Sequence, residues 1–212
     1  MKTICKVMSL LLVALLLCGC NTVEKTPATT EAVINSLQKS DPGEDEYMNI
    51  LMVGNSFCFY FCDELYGMLT EAGIKAKVYN LYYSGCKLEQ HWTWWKARTA
   101  NYDLILHDEN GKTKVEGVDL EYAIVQQNWD VISLQESTSR IFKAGYETHL
   151  QTSKIWRTEL WAYLKGCFPK ARYLWHQPWT YQLGTATNGY VMESVEQQDY
   201  NTQEIRNYAI AV

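Results

Sequence analysis

Three separated stretches hold groups suited to acyl transfer: Gly54-Asn55-Ser56, Ser84-Gly85-Cys86 and Ser133-Leu134-Gln135-Glu136. Acyl transfer needs a nucleophile, and hydrogen-bond donors aimed at the oxyanion that develops on the carbonyl oxygen. Ser56 Oγ is the candidate nucleophile. The N–H groups of Ser56 and Gly85 and the carboxamide of Gln135 are the candidate oxyanion donors. A serine placed here has an ordinary use as well, as the N-cap of the following helix, and residue types alone leave both readings open.

A proton acceptor is harder to find. The histidines are His91, His107, His149 and His176, and none has Asp three residues before it. His176 closes an apolar run and reads as a general base, a substrate contact or a structurally bonded imidazole. His91 lies on the segment after Gly85, either facing the same pocket or exposed on a helix. His107 reads as a hairpin residue and His149 as a helix start. Trp92, Trp94, Trp95, Trp175 and Trp179 fall near the same stretches, as a platform for stacking sugars or as core aromatics. Asn55, His91, His176 and Trp179 are therefore the candidate substrate contacts. Glu89 and Glu136 stand nearby by position but form no evident glycosidase pair.

The elements that must position these groups follow from hydrophobic patterning. Asn49 to Val53 reads as a strand whose run Ile50 to Val53 has no polar alternation, the signature of a strand covered on both faces. A helix is expected over Tyr60 to Ala72, with Gly73 as its stop. Lys75 to Tyr83 reads as a strand and Leu88 to Arg98 as a helix. Tyr102 to His107 and Lys112 to Glu116 flank Asn110-Gly111, a hairpin signal. Val118 to Gln127 is helical in pattern, Trp129 to Leu134 a strand, and Gln135 to Thr148 a polar loop. His149 to Gly166 reads as one long helix, Ala171 to His176 as a strand, Pro178 to Met192 as a loop, and Glu193 onward as a helix. Strands alternating with helices predict an α/β fold, a three-layer α/β/α sandwich on a mostly parallel sheet. In such sheets ligands bind beyond the carboxyl ends of the strands, where Ser56, Gly85 and Gln135 are expected to meet.

The chain has 212 residues, 47% hydrophobic and 20% charged, as a globular domain requires. Its net charge of −5, without a Lys/Arg cluster, argues against a nucleic-acid partner. Lys2 and Lys6 precede the apolar stretch Val7 to Leu17, which is too short to span a membrane. Leu17-Cys18-Gly19-Cys20 resembles a bacterial lipobox, which implies cleavage after Gly19 and lipidation of Cys20. An ordinary secretory signal is the alternative. Residues 1–19 are then a signal peptide, 20–46 a tether rich in Thr, Ser, Glu and Pro, and 47–212 the folded domain. The protein is expected on the cell envelope, held to a membrane by its lipid. Cys58, Cys62, Cys86 and Cys167 match no zinc spacing. They read as buried thiols, with a Cys58–Cys86 disulfide as the alternative, and no metal or cofactor is expected.

Taken together, Gly54-Asn55-Ser56-Phe57, the Ser84-Gly85-Cys86 loop and Ser133-Leu134-Gln135-Glu136 resemble the SGNH hydrolases, or GDSL-type esterases. The run from Gly85 to Trp92 and the Trp175-His176 pair resemble a branch of that superfamily on bacterial envelope proteins. The resemblance spans about Asn49 to Trp179. It implies a flavodoxin-like fold and ester hydrolysis through an acyl-serine, with Ser56 as nucleophile and Gly85 and Gln135 in the oxyanion hole. Asn55 stands where that superfamily carries Asp, and Gln135 where it carries Asn. Its late Asp-x-x-His block has no counterpart, so the domain is expected to be incomplete at its C-terminus, lacking a last strand and helix, and weakly active or inactive. The expected function is an envelope esterase acting on an acylated carbohydrate or similar ester. The alternative is a glycan- or ligand-binding lipoprotein of the same fold.

Overall fold

The computed structural model describes residues 46–187 and 190–212. The expected signal peptide, the expected lipidation site Cys20 and nearly all of the expected tether lie outside the described residues. Strand β1 (Met48–Gly54) leads into helix α1 (Ser56–Glu71), followed by β2 (Ala76–Tyr82) and α2 (Leu88–Ala97). The hairpin β3 (Tyr102–Asp108) and β4 (Gly111–Val118) precedes the short α3 (Leu120–Ile124) and β5 (Val131–Gln135). Helices α4 (Thr138–Ala144), α5 (Tyr146–Thr152) and α6 (Lys154–Cys167) then lead to β6 (Arg172–His176). A two-residue pair, β7 (Ala186–Thr187) and β8 (Tyr190–Val191), precedes α7 (Val195–Ala211).

The main sheet has six strands in the order β4-β3-β2-β1-β5-β6. β1, β2, β5 and β6 run parallel, while the β3–β4 hairpin joins β2 antiparallel. Register decides the site. Gly54 lies opposite Tyr82, Val53 opposite Leu134, and Gln135 opposite His176. The carboxyl ends of all four parallel strands are thus level, and the segments leaving them share one rim.

Alternate strand positions bury apolar side chains on both faces. Ile50, Met52, Ala76 and Val78 pack with Cys58 and Cys62 of α1. Leu51, Val53, Leu81, Ile132 and Leu134 pack with Leu88 of α2, Ala123 and Ile124 of α3, and Leu160 and Leu164 of α6. A smaller cluster joins Ile141 and Phe142 of α4 to Ile205 and Tyr208 of α7. Cys58, Cys62, Cys86 and Cys167 are buried free thiols, because they sit as small hydrophobes in these clusters. Among the described residues no helix is long and apolar enough to cross a membrane.

The departures from the sequence reading have identifiable causes. Helix α1 starts at Ser56, four residues before the expected Tyr60, because Asn55 caps it. The stretch 135–148, expected as a loop, holds α4 and the start of α5. The expected helix over His149 to Gly166 breaks at Ser153, whose buried Oγ bonds Tyr208 Oη at 2.7 Å and accepts from Arg157 Nε at 3.2 Å. Glu204 of α7 accepts the Tyr146 N–H at 2.6 Å and so caps α5 from another helix. At Tyr146 and Ser153 contacts between distant segments, not local propensity, place the helix ends.

Candidate active site

The turn after β1 is built by Asn55. Its backbone is extended at φ −124°, and its Oδ1 accepts the Phe57 N–H at 3.1 Å. Asn55, not Ser56, is therefore the N-cap of α1, and Ser56 is the first helical residue. That position sits at the positive end of the helix dipole, where backbone N–H groups face outward. The Asn55 side chain also donates from Nδ2 to the Cys86 carbonyl at 2.9 Å. Both ends of the side chain are held by the protein, and Asn55 also lines the cavity beside Ser56. Gly54 must be glycine for space: a Cβ there would lie 2.3 Å from Cys58 Sγ and 2.5 Å from Gln135 Oε1.

The turn after β2 brings Gly85 to the same place. The Cys86 N–H bonds the Tyr83 carbonyl at 3.1 Å, and Gly85 within that turn has φ +64°. Side-chain-bearing residues resist that conformation. Ser56 and Gly85 line one cavity of about 500 Å³, together with Ser84, Ser137, Trp179 and Tyr181. Trp179 is half-exposed and packs edge-on against Phe57, with ring centroids 4.5 Å apart. Its carbonyl accepts from Thr138 Oγ1 at 3.1 Å. The cavity thus has a hydroxyl, a glycine turn and an aromatic wall.

Gln135 lies beneath the cavity instead of on its wall. Its side chain is fully buried, and Oε1 accepts the Asn55 N–H at 3.2 Å and the Cys58 thiol at 3.0 Å. Nε2 has no partner among the described residues. The carboxamide thus braces the turn that carries Ser56. The difference from the expected oxyanion donor follows from β5 lying between β1 and β6, with its last residue covered by the β1–α1 turn.

His176 also turns inward. Its Nδ1 lies 3.1 Å from Cys58 Sγ, and its ring sits 5.5 Å from that of Phe61. Burial lowers its pKa to about 4, so the imidazole is neutral near pH 7. His91 is a correction to the expected substrate contact or exposed helical histidine. It is only 1% exposed, shares a 2.8 Å hydrogen bond with Tyr102 Oη and stacks on that ring. Burial lowers its pKa to about 3. The α2 face that carries it packs on β3, and helical spacing alone could not choose that face.

The sequence reading missed a buried carboxylate–imidazole pair. Glu136 is fully buried and His149 nearly so, with His149 Nε2 2.8 Å from Glu136 Oε2. The available signal was an acidic residue directly after a core strand. Ser56 Oγ has no hydrogen-bond partner among the described residues. No cluster of three or more His, Cys, Asp or Glu able to hold a metal occurs among them.

A family model described as a domain of unknown function, DUF4886, matches residues 49–211. The fold is similar to the crystal structure, at 1.50 Å, of a DUF4886 family protein from Bacteroides uniformis ATCC 8492, with a TM-score of 0.65 and 23% sequence identity. The similarity covers 78% of this chain and 62% of that one, so the chain spans less than two thirds of that protein's length. No curated protein matches the sequence.

Proposed function

The chain belongs to the DUF4886 family, and we propose that its domain is an SGNH-type serine ester hydrolase of flavodoxin-like α/β/α architecture. The observation that carries this reading is the shared cavity of Ser56 and Gly85, formed by turns 29 residues apart at level strand ends. Ser56 Oγ attacks the ester carbonyl and forms an acyl-serine, expelling the alcohol. Water then hydrolyses the acyl-serine. The N–H groups of Ser56 and Gly85 stabilise the oxyanion, helped by the dipole of α1. No described residue bonds Ser56 Oγ to take its proton, so the expected rate is low, proton transfer falling to solvent water.

The substrate is an ester on a neutral ring, such as an acylated carbohydrate. Trp179 offers a face for stacking, and the cavity's wall carries no charged side chain. The same reading puts the protein on the cell envelope, with residues 1–19 removed and Cys20 lipidated. The test is hydrolysis of p-nitrophenyl acetate by the full chain and by Ser56→Ala. A rate above buffer that disappears in the variant supports the acyl-serine, and equal rates remove Ser56 as nucleophile.

A second reading, a ligand-binding lipoprotein that uses the same cavity without hydrolysis, is favoured by the unpartnered Ser56 hydroxyl. It expects neutral oligosaccharide binding that survives Ser56→Ala and no ester turnover.

A further inference from the structure

We propose that Glu136 is a positioning residue that fixes the Gly85 turn against the opposite wall of the cavity. The proposal rests on the esterase reading for its catalytic consequence. Glu136 is fully buried yet does not line the cavity. A buried carboxylate is tolerated only when its oxygens are hydrogen-bonded. Here Oε1 accepts two backbone N–H groups, from Leu88 at 3.0 Å and from Ser137 at 2.6 Å. Oε2 faces His149 Nε2 at 2.8 Å.

These partners define what the carboxylate does. Leu88 opens α2, three residues after Gly85, and its N–H is one of the free donors at that helix's start. Ser137 stands on the cavity wall. One oxygen therefore ties the β2–α2 connection to the β5–α4 connection. Asn55 Nδ2 holds the same β2–α2 segment at the Cys86 carbonyl. The Gly85 turn is thus gripped at Cys86 from the β1 turn and at Leu88 from the β5 turn. His149, buried against the Tyr208 ring at 5.2 Å, holds the second oxygen from α5 and fixes the carboxylate's orientation. Both residues are buried and neither lines the cavity, so the pair acts through the loop and not on substrate.

Hydrogen exchange and kinetics on the full chain test this. In the wild type, the Leu88 and Ser137 amides exchange among the slowest in the domain. Glu136→Ala speeds both by about ten-fold or more. With p-nitrophenyl acetate it lowers kcat about ten- to a hundred-fold and leaves KM nearly unchanged, since oxyanion donors act in the transition state. Glu136→Gln folds, keeps Oε1 as acceptor for both N–H groups, offers its amide to His149 Nε2, and restores exchange protection and kcat. The proposal is overturned if Leu88 exchanges like an exposed loop in the wild type, or if Glu136→Gln is as impaired as Glu136→Ala. Should wild type and Ser56→Ala hydrolyse ester equally, the esterase reading fails, and exchange still decides whether Glu136 fixes the loop.

Discussion

Asn55 donates its side-chain amide to the carbonyl of Cys86 across 2.9 Å, joining the turn that carries Ser56 to the turn that carries Gly85. The same side chain caps α1 through its other end. An asparagine does both because its carboxamide has a donor and an acceptor on one planar group. Asn55→Asp keeps the cap but sets a carboxylate oxygen against the Cys86 carbonyl. The expected cost is about 1–3 kcal/mol, read from urea unfolding, with a larger proportional loss of ester turnover than of stability.

Gly54 sits where β1 ends, and its absent Cβ leaves room for Cys58 Sγ and Gln135 Oε1. Both neighbours are buried, and they bond each other at 3.0 Å, so neither yields easily. Gly54→Ala is expected to destabilise the domain by about 1–3 kcal/mol or more through overpacking. Thermal unfolding checks it. The companion variant Gly54→Ala/Cys58→Ala, which vacates the sulfur's space, should recover part of the loss.

Acid sensitivity follows from buried His91 and half-buried His176. The folded chain lowers the His91 pKa to about 3 and the His176 pKa to about 4, against an ordinary 6.5, because burial disfavours the imidazolium. Between those values the unfolded chain binds protons that the folded chain refuses. Their contribution to stability is complete above pH 6.5 and is lost as pH falls toward 4 and then 3. Each histidine adds a slope of up to about 1.4 kcal/mol per pH unit in that window. His91→Phe keeps a ring against Tyr102 and removes the titration. Urea unfolding from pH 7 to pH 4 should show a shallower slope for this variant, and an unchanged slope would contradict the assignment.

Trp179 lines the cavity, half-exposed, and packs edge-on against Phe57. If it stacks the substrate's ring, Trp179→Ala should raise KM for an acylated neutral sugar about two- to ten-fold. Its kcat should hardly change, the pattern of lost uniform binding. For p-nitrophenyl acetate, whose ring is part of the leaving group, the effect should be smaller. Steady-state kinetics with both esters decides it.

Much of this architecture was legible in the chain. The runs ending at Val53, Tyr83, Leu134 and His176 are strands, and the segments after them carry Ser56 and Gly85 to one cavity. Parallel strands joined by helical crossovers put their carboxyl ends on one edge wherever the register is level. The Asn110-Gly111 turn announced the β3–β4 hairpin through purely local backbone preference.

The direction in which polar side chains point was not legible. Gln135 faces the β1 turn, His91 faces Tyr102, and His149 meets Glu136, each decided by which neighbour covers it after packing. Hydrophobic periodicity reports which residues are apolar on a strand or helix, and that is a property of adjacent residues along the chain. The partner of a buried polar group is a property of segments many residues apart. Sequence thus determined the strand–helix order and the turn holding the serine. Only tertiary packing decided that Asn55 and Glu136, rather than Gln135, grip the glycine turn, because Asn55 Nδ2 and both carboxyl oxygens of Glu136 find partners there and leaving such buried groups unpaired is costly.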